Sequence, residues 1–89
     1  MAYFFGRVSL EDYAKFRPVF DSKEDMRKAA GATKSKVYQS VDDPNEIVVQ
    51  IEFPTADQAK AFSTSEGLRN AIQQAGTKKP PKMVVVNET

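Results

Sequence analysis

The chain has no cysteine and no histidine among its 89 residues. The first absence excludes disulfides and thiolate chemistry. The second removes the usual general base at neutral pH and the commonest metal ligand. No apolar run approaches the roughly 20 residues of a membrane-spanning helix. The opening Met1-Ala2-Tyr3-Phe4-Phe5-Gly6 is apolar but too short for a secretory leader, and it lacks a basic start. An excess of one charge is missing too. Thirteen Lys and Arg stand against twelve Asp and Glu, interspersed, for a net charge of +1. Nothing in that balance demands a polyanion or an anionic membrane surface. The expectation is one domain spanning residues 1–89, soluble and cytoplasmic, with no metal, no cofactor and no membrane. A domain of this size buries only roughly 60–65% of its unfolded surface, so a partner would add useful stability.

What is present is organised around one stretch, Lys36 to Phe53, which reads as a β-hairpin. Ile47, Val49, Ile51 and Phe53 alternate with Val48, Gln50 and Glu52. Strand side chains point to opposite faces with period two, so one face is wholly apolar and the other mixed. Asp42-Asp43-Pro44-Asn45 supplies the turn, through side-chain caps and a fixed φ. Placing Val41 opposite Ile47 sets Tyr38 against Gln50 and Lys36 against Glu52. A one-residue slip would exchange the faces.

Before the hairpin, Tyr3 to Val8 reads as a strand, apolar on both faces except at Arg7. Ser9 is a candidate N-cap, with Glu11 and Asp12 in the first turn where the helix dipole favours anions. Tyr13, Phe16 and Phe20 recur at helical spacing as a buried stripe. Pro18 interrupts or kinks that helix. A restart at Ser22 runs to Ala30 and stops at Gly31, giving helical pieces over 10–20 and 23–30. After the hairpin, Thr55 with Gln58 is a capping box. Ser63 with Glu66 repeats it, so the second helical region breaks near 63–65. Leu68, Ala71, Ile72 and Ala75 line the restarted piece and Gly76 ends it. Met83 to Val86 is the last strand. The order β-α-β-β-α-β with right-handed crossovers gives an α+β, ferredoxin-like fold: a four-stranded antiparallel sheet with its helices on one face.

Those helices cover only one side of the sheet. The other carries Lys36, Tyr38, Val48, Gln50 and Glu52, with one of Phe4 and Phe5 and one of Val84 and Val85 from the flanking strands. A contiguous apolar patch of this kind is unusual on a monomer. The expected partner is a second copy, packed sheet to sheet as a two-fold homodimer burying on the order of 1,600 Å² in total. Lys36 and Glu52 are expected to pair there.

The pieces Asp12-Tyr13, Val19-Phe20-Asp21, Arg27-Lys28-Ala29-Ala30-Gly31, Asp42-Asp43-Pro44-Asn45-Glu46, Glu52-Phe53, Ala59, Phe62, Leu68-Arg69-Asn70-Ala71 and Ala75-Gly76 resemble, in order and spacing over nearly the whole chain, the dimeric α/β-barrel superfamily. The nearest group is the antibiotic biosynthesis monooxygenase-like domains. The resemblance implies a dimer whose two sheets form a barrel. It also implies a pocket in each subunit between sheet and helices, where characterised relatives bind aromatic substrates or haem. Haem-degrading relatives use a histidine ligand, usually with tryptophan and asparagine nearby, and this chain has neither histidine nor tryptophan. Quinone-forming relatives oxidise polycyclic phenols without cofactor or metal, using a tyrosine, tryptophan, asparagine and arginine set that has no matching positions here.

Candidate ligand-binding residues are Gln39, Arg27, Tyr13, Phe16, Phe20 and Phe62. Gln39 falls between Val37 and Val41 on the helix-facing side. A buried amide there either orients a ligand, bonds a helix-end backbone group, or lies near an exposed edge. Tyr13, Phe16, Phe20, Met26 and Phe62 line a pocket for a flat apolar molecule, or are plain core. Arg27 receives an anionic ligand, or lays its stem on the core with its head in water. Tyr38, Gln50, Glu52 and Lys36 form an interface network, or hold a carboxylate poised as a base. Asp42, Asp43 and Glu46 are explained by turn chemistry and lack the ligand spacing of a calcium loop. RNA recognition is excluded by the third strand, which is aliphatic and acidic where RNA-recognition domains carry basic and aromatic residues.

Two readings follow. One is a small dimeric protein that binds a hydrophobic or aromatic metabolite, with cofactor-independent monooxygenase- or cyclase-like chemistry resting on a tyrosine or carboxylate. The other is a non-catalytic dimeric ligand-binding or structural module. An apolar cavity contacting Gln39 and Arg27 favours the first, and tight packing there favours the second.

Overall fold

The computed structural model describes residues 1–89. Four strands, β1 (Ala2–Ser9), β2 (Lys34–Gln39), β3 (Glu46–Phe53) and β4 (Lys82–Asn87), form one antiparallel sheet in the order β2-β3-β1-β4. Helices α1 (Tyr13–Ser22) and α2 (Glu24–Ala29) connect β1 to β2, and α3 (Ala56–Ser63) and α4 (Glu66–Ala75) connect β3 to β4. This is the expected ferredoxin-like arrangement, with each helical region in two pieces.

The apolar alternation of β3 does what its period requires. Ile47, Val49, Ile51 and Phe53 are all buried, and Ile47, Ile51 and Phe53 almost completely. They meet Phe4 and Val8 of β1, Phe16 of α1, Phe62 of α3 and Ala75 of α4 in one core. Each large side chain moved out of water there contributes about 1.5–3 kcal/mol. Phe62 packs edge-on against Phe4, with ring centroids 5.3 Å apart, and lies 5.4 Å from Phe53.

The hairpin register differs from the expected one by two residues. Gln39, rather than Val41, lies opposite Ile47, so Tyr38 faces Val48, Lys36 faces Gln50 and Lys34 faces Glu52. The loop is longer because its own polar groups hold it open. Ser40 N–H closes the ladder on Glu46 O, Asp42 N–H donates to Ser40 Oγ, and Asn45 N–H donates to Asp43 Oδ1. Val41 is left fully exposed. A slip of two preserves the faces, so each residue of β2 keeps its expected side of the sheet. The expected Lys36–Glu52 pair is absent, because Glu52 instead accepts from Thr33 Oγ1 at 2.8 Å and Tyr3 Oη at 3.2 Å.

The first helix starts later than expected. Asp12, not Ser9, is its N-cap, accepting from Ala14 N–H at 2.9 Å. Ser9 instead ends β1, its hydroxyl donating to Glu46. Leu10 next to it is fully buried and bridges to Thr77. Burial of Leu10 outweighs an early helix start. Pro18 sits inside α1, and the break falls at Lys23. Gly31, at φ +102°, then closes a Schellman motif, with Ala32 N–H on Arg27 O and its own N–H on Lys28 O. Thr55 caps α3 as expected, while Ser65, two residues beyond Ser63, caps α4 through Leu68 N–H.

Candidate functional site

The sheet and the helices do not close completely on one another. Between them lies a cavity of about 70 Å³. Phe4, Gly6, Val49 and Ile51 form its floor, Phe16, Val19 and Phe20 of α1 and Met26 and Arg27 of α2 one wall, and Leu68, Ala71 and Ile72 of α4 the other. Phe62 of α3, Thr77 and Pro81 of the last connection and Met83 of β4 complete the lining. The wall is almost entirely carbon.

The cavity has a local cause. Gly6 stands on the helix-facing side of the central strand β1, between Val49 and Met83, where its neighbours Phe4 and Val8 carry large side chains. A glycine there leaves the layer unfilled. A Cβ at that position would meet Phe4 Cε1 at 3.3 Å, so a larger residue would also have to displace a buried ring. Across the space, Gly67 lets α4 approach Met26, whose Cγ would lie 3.3 Å from an added Cβ. A cavity of about 150 Å³ lined by carbon is known to bind benzene, so a single ring needs this one to expand. Met26 and Met83 are the wall residues able to yield, through unbranched, polarizable side chains.

Of the candidate ligand-binding residues, Phe16, Phe20, Phe62 and Arg27 line this cavity. Tyr13 and Gln39 do not line it. Tyr13 packs on Phe16 with centroids 5.9 Å apart, its backbone N–H donating to Asn45. Gln39, at the exposed end of β2, donates from Nε2 to Pro44 O at 3.2 Å, which is the edge alternative for that residue. The two-residue register change moves Gln39 from mid-strand to the last pair of β2, next to the loop. Sequence reasoning named Met26 but missed Gly6 and the α4 wall as parts of a site. The available signal was a glycine inside an otherwise apolar central strand.

Only Lys23, Arg27 and Thr77 among the lining residues bear side-chain polar atoms, and no carboxylate or tyrosine is present to take a proton. Arg27 is 6% exposed. Its guanidinium carbon lies 3.8 Å from the Phe20 ring centroid, Nη1 donates to Phe20 O at 2.7 Å and Nε to Ser35 Oγ at 3.1 Å. Burial pulls its pKa down from the usual arginine range, and the fields of Glu24 and Asp21 oppose that pull.

The opposite face of the sheet carries three rows across the strands: Lys34, Glu52, Tyr3 and Val86; Lys36, Gln50, Phe5 and Val84; Tyr38, Val48, Arg7 and Lys82. Tyr38, Val48, Val84 and Val86 are exposed, and Tyr3 and Phe5 half-buried. Phe5, not Phe4, and Val84, not Val85, belong to this side. Tyr38 Oη donates to Gln50 Oε1 at 3.1 Å. Tyr3 Oη lies 2.9 Å from Glu88 Oε1 as well as 3.2 Å from Glu52 Oε2. No helix is long and apolar enough to cross a membrane.

No protein-family model matches the sequence, and no curated protein matches it. Solved structures do match in fold. A proposed antibiotic biosynthesis monooxygenase from Bordetella bronchiseptica superposes with a TM-score of 0.84 at 13% identity, over 99% of this chain and 96% of that one. A second, from Nitrosomonas europaea, gives 0.75 at 17% identity over 99% and 98%. SnoaB, a cofactor-independent oxygenase from Streptomyces nogalater, gives 0.79 at 15% identity over 99% and 92%. The chain therefore has the ferredoxin-like fold of the antibiotic biosynthesis monooxygenase-like proteins.

Proposed function

We propose that this protein is a homodimer whose subunits each hold a small apolar or single-ring aromatic metabolite between sheet and helices. The observation that carries the reading is the carbon-walled cavity under Gly6, bordered by Phe16, Phe20 and Phe62. An apolar space with few polar groups at its edge is the common form of a small-molecule pocket. The dimer rests on the outer face, where Phe5, Val48, Val84 and Val86 form an apolar band that no helix of the same chain covers.

Cofactor-independent oxygenase chemistry is the second reading, favoured by the likeness to SnoaB. Binding without catalysis has the better support from the residues, since neither a tyrosine nor a carboxylate lines the cavity. Thermal-shift titration with single-ring phenols, quinones and small aromatic acids, followed by oxygen consumption for each ligand that binds, tests both. A saturable rise in Tm is expected for a single-ring ligand and is lost in Gly6→Val. No shift with any ligand would leave a purely structural module. Oxygen uptake dependent on the bound ligand would establish the oxygenase reading.

A further inference from the structure

Lys23 breaks the apolar character of the cavity wall at one place. Phe16, Val19, Phe20 and Lys23 fall at i, i+3, i+4 and i+7, so the stripe of α1 that faces the cavity ends on a cation at the α1–α2 junction. Lys23 is half-buried. The chain's two ion pairs are Arg17–Asp21 and Lys28–Glu24, so Lys23 has no carboxylate within 4.0 Å. Glu66, exposed in the first turn of α4, makes no ion pair either. A wall that is almost entirely carbon fits a lysine that lays its stem on the cavity and holds its ammonium at the rim.

The cavity opens at that rim. Phe4, Val49 and Ile51 of its floor are buried, as are Phe16 and Phe62. Farther out, Val19 and Lys23 on one side and Leu68, Ala71 and Ile72 on the other are half-exposed. Of the apolar stripe of α4 only Ala75 is buried. The mouth therefore lies between α1 and α4, with apolar lips and one cation. The other two polar lining residues do not serve it. Arg27 donates to Phe20 O and Ser35 Oγ, and Glu24 and Asp21 supply its opposing field. Thr77 is uncharged and bridges to Leu10, just after β1, whereas Lys23 lies past the other end of α1.

We propose that the ligand of this cavity is a carboxylate on an apolar or single-ring body, its carboxylate held at the α1–α4 mouth by Lys23 Nζ, a choice of ligand that rests on the cavity being a binding site. One unpaired ammonium matches the single charge of a carboxylate. A phosphate would bring further negative charge with nothing to meet it. A space of about 70 Å³ walled by carbon takes part of the body and excludes the charged head, whose desolvation there would be costly. At the rim the head stays hydrated. The body then covers Leu68 and Ile72, which supply affinity by burial. Lys23 chooses among ligands with the same body.

The test is a titration of the whole chain with phenylacetate, its neutral analogue phenylacetamide and the cation phenethylamine, following the Met26 and Met83 methyl signals by NMR. Those methyls line the cavity and report entry of the ring whatever head it carries. Saturable shifts are expected with the acid and the amide at low ionic strength. The acid should bind about fivefold tighter, the upper end of what a solvent-exposed ion pair supplies, and the amine most weakly. Added salt should narrow the gap. Lys23→Met keeps an unbranched stem without the charge and should bring the acid-to-amide ratio to about one, while Lys23→Arg should preserve it. Equal affinities for acid and amide in the parent, or a ratio in Lys23→Met as large as the parent's, would overturn the role of Lys23 and leave a cavity indifferent to charge. Saturation by none of the three would overturn the cavity reading and the carboxylate with it.

Discussion

Tyr3 shows how one hydroxyl responds to its surroundings. The hydrogen bond to Glu88, then loss of solvent, then the hydrogen bond to Glu52 push its pKa from 10.0 up to about 12. Its folded value is the raised one, so its contribution to stability is complete below pH 10.0 and is lost as pH rises through about 12. Near-ultraviolet absorbance should show a tyrosine ionisation centred near pH 12, and Glu88→Gln should move that step to lower pH. Glu52 runs the other way. Its bond from Thr33 comes first, then that from Tyr3, and Lys34 adds its field; together they hold the carboxyl below its ordinary 4.5. Its contribution is therefore present above pH 4.5 and disappears as pH falls through the lower folded value. Denaturant midpoints taken along the acid limb should vary less with pH in Glu52→Gln than in the parent. The expected partner of Glu52 was Lys36. Its actual partners, Tyr3 and Thr33, sit 49 and 19 residues away, and no local pattern names them.

Among the elements, each helical region is broken once, and the sequence carries both breaks. Lys23 separates α1 from α2, and Thr64 and Ser65 separate α3 from α4. The repeated Ser/Thr pattern pointed to the second break but not to the residue that caps it. Both Ser63 and Ser65 are hydroxyl residues before an apolar stripe, and only the position with extended backbone turns its oxygen to the free N–H groups. Ser65→Ala should therefore cost about 1 kcal/mol of stability, and Ser63→Ala distinctly less. Urea denaturation of the two variants separates the cases, and equal losses would contradict the assignment. In β1, Gly6 was legible as a glycine in a strand, but its meaning depended on which neighbours stood across from it. Gly6→Ala adds a Cβ 3.3 Å from the edge of the Phe4 ring. It should shrink the cavity, with weaker ligand-induced shifts in Tm than the parent.

At the scale of the molecule, half of the sheet is covered by its own helices and half is not. The covered half was readable from the alternation in β3 and the helical stripe of Phe16 and Phe20. The uncovered half was readable as a mixed face, although which residue of Phe4-Phe5 and Val84-Val85 belongs to it was not. Two adjacent apolar residues have opposite sides, and only the pairing of Phe5 with Gln50 and Val84 decides between them. Light scattering at micromolar concentration should give the mass of a dimer. Val84→Glu, which puts a charge in the middle row of the exposed band, should give a folded monomer. A monomeric parent chain under those conditions would end the dimer proposal.

By itself the sequence determined the element order, the buried face of β3, the caps at Thr55, Gly31 and Gly76, and the absence of thiol and imidazole chemistry. These depend on local backbone preference, on side-chain period and on composition, none of which needs a distant partner. The tertiary structure alone decided the hairpin register, the removal of Gln39 from the candidate site and the cavity left by Gly6. Each of these is a relation between segments far apart in the chain, set by which surfaces reach van der Waals contact first once the sheet and helices have closed on each other.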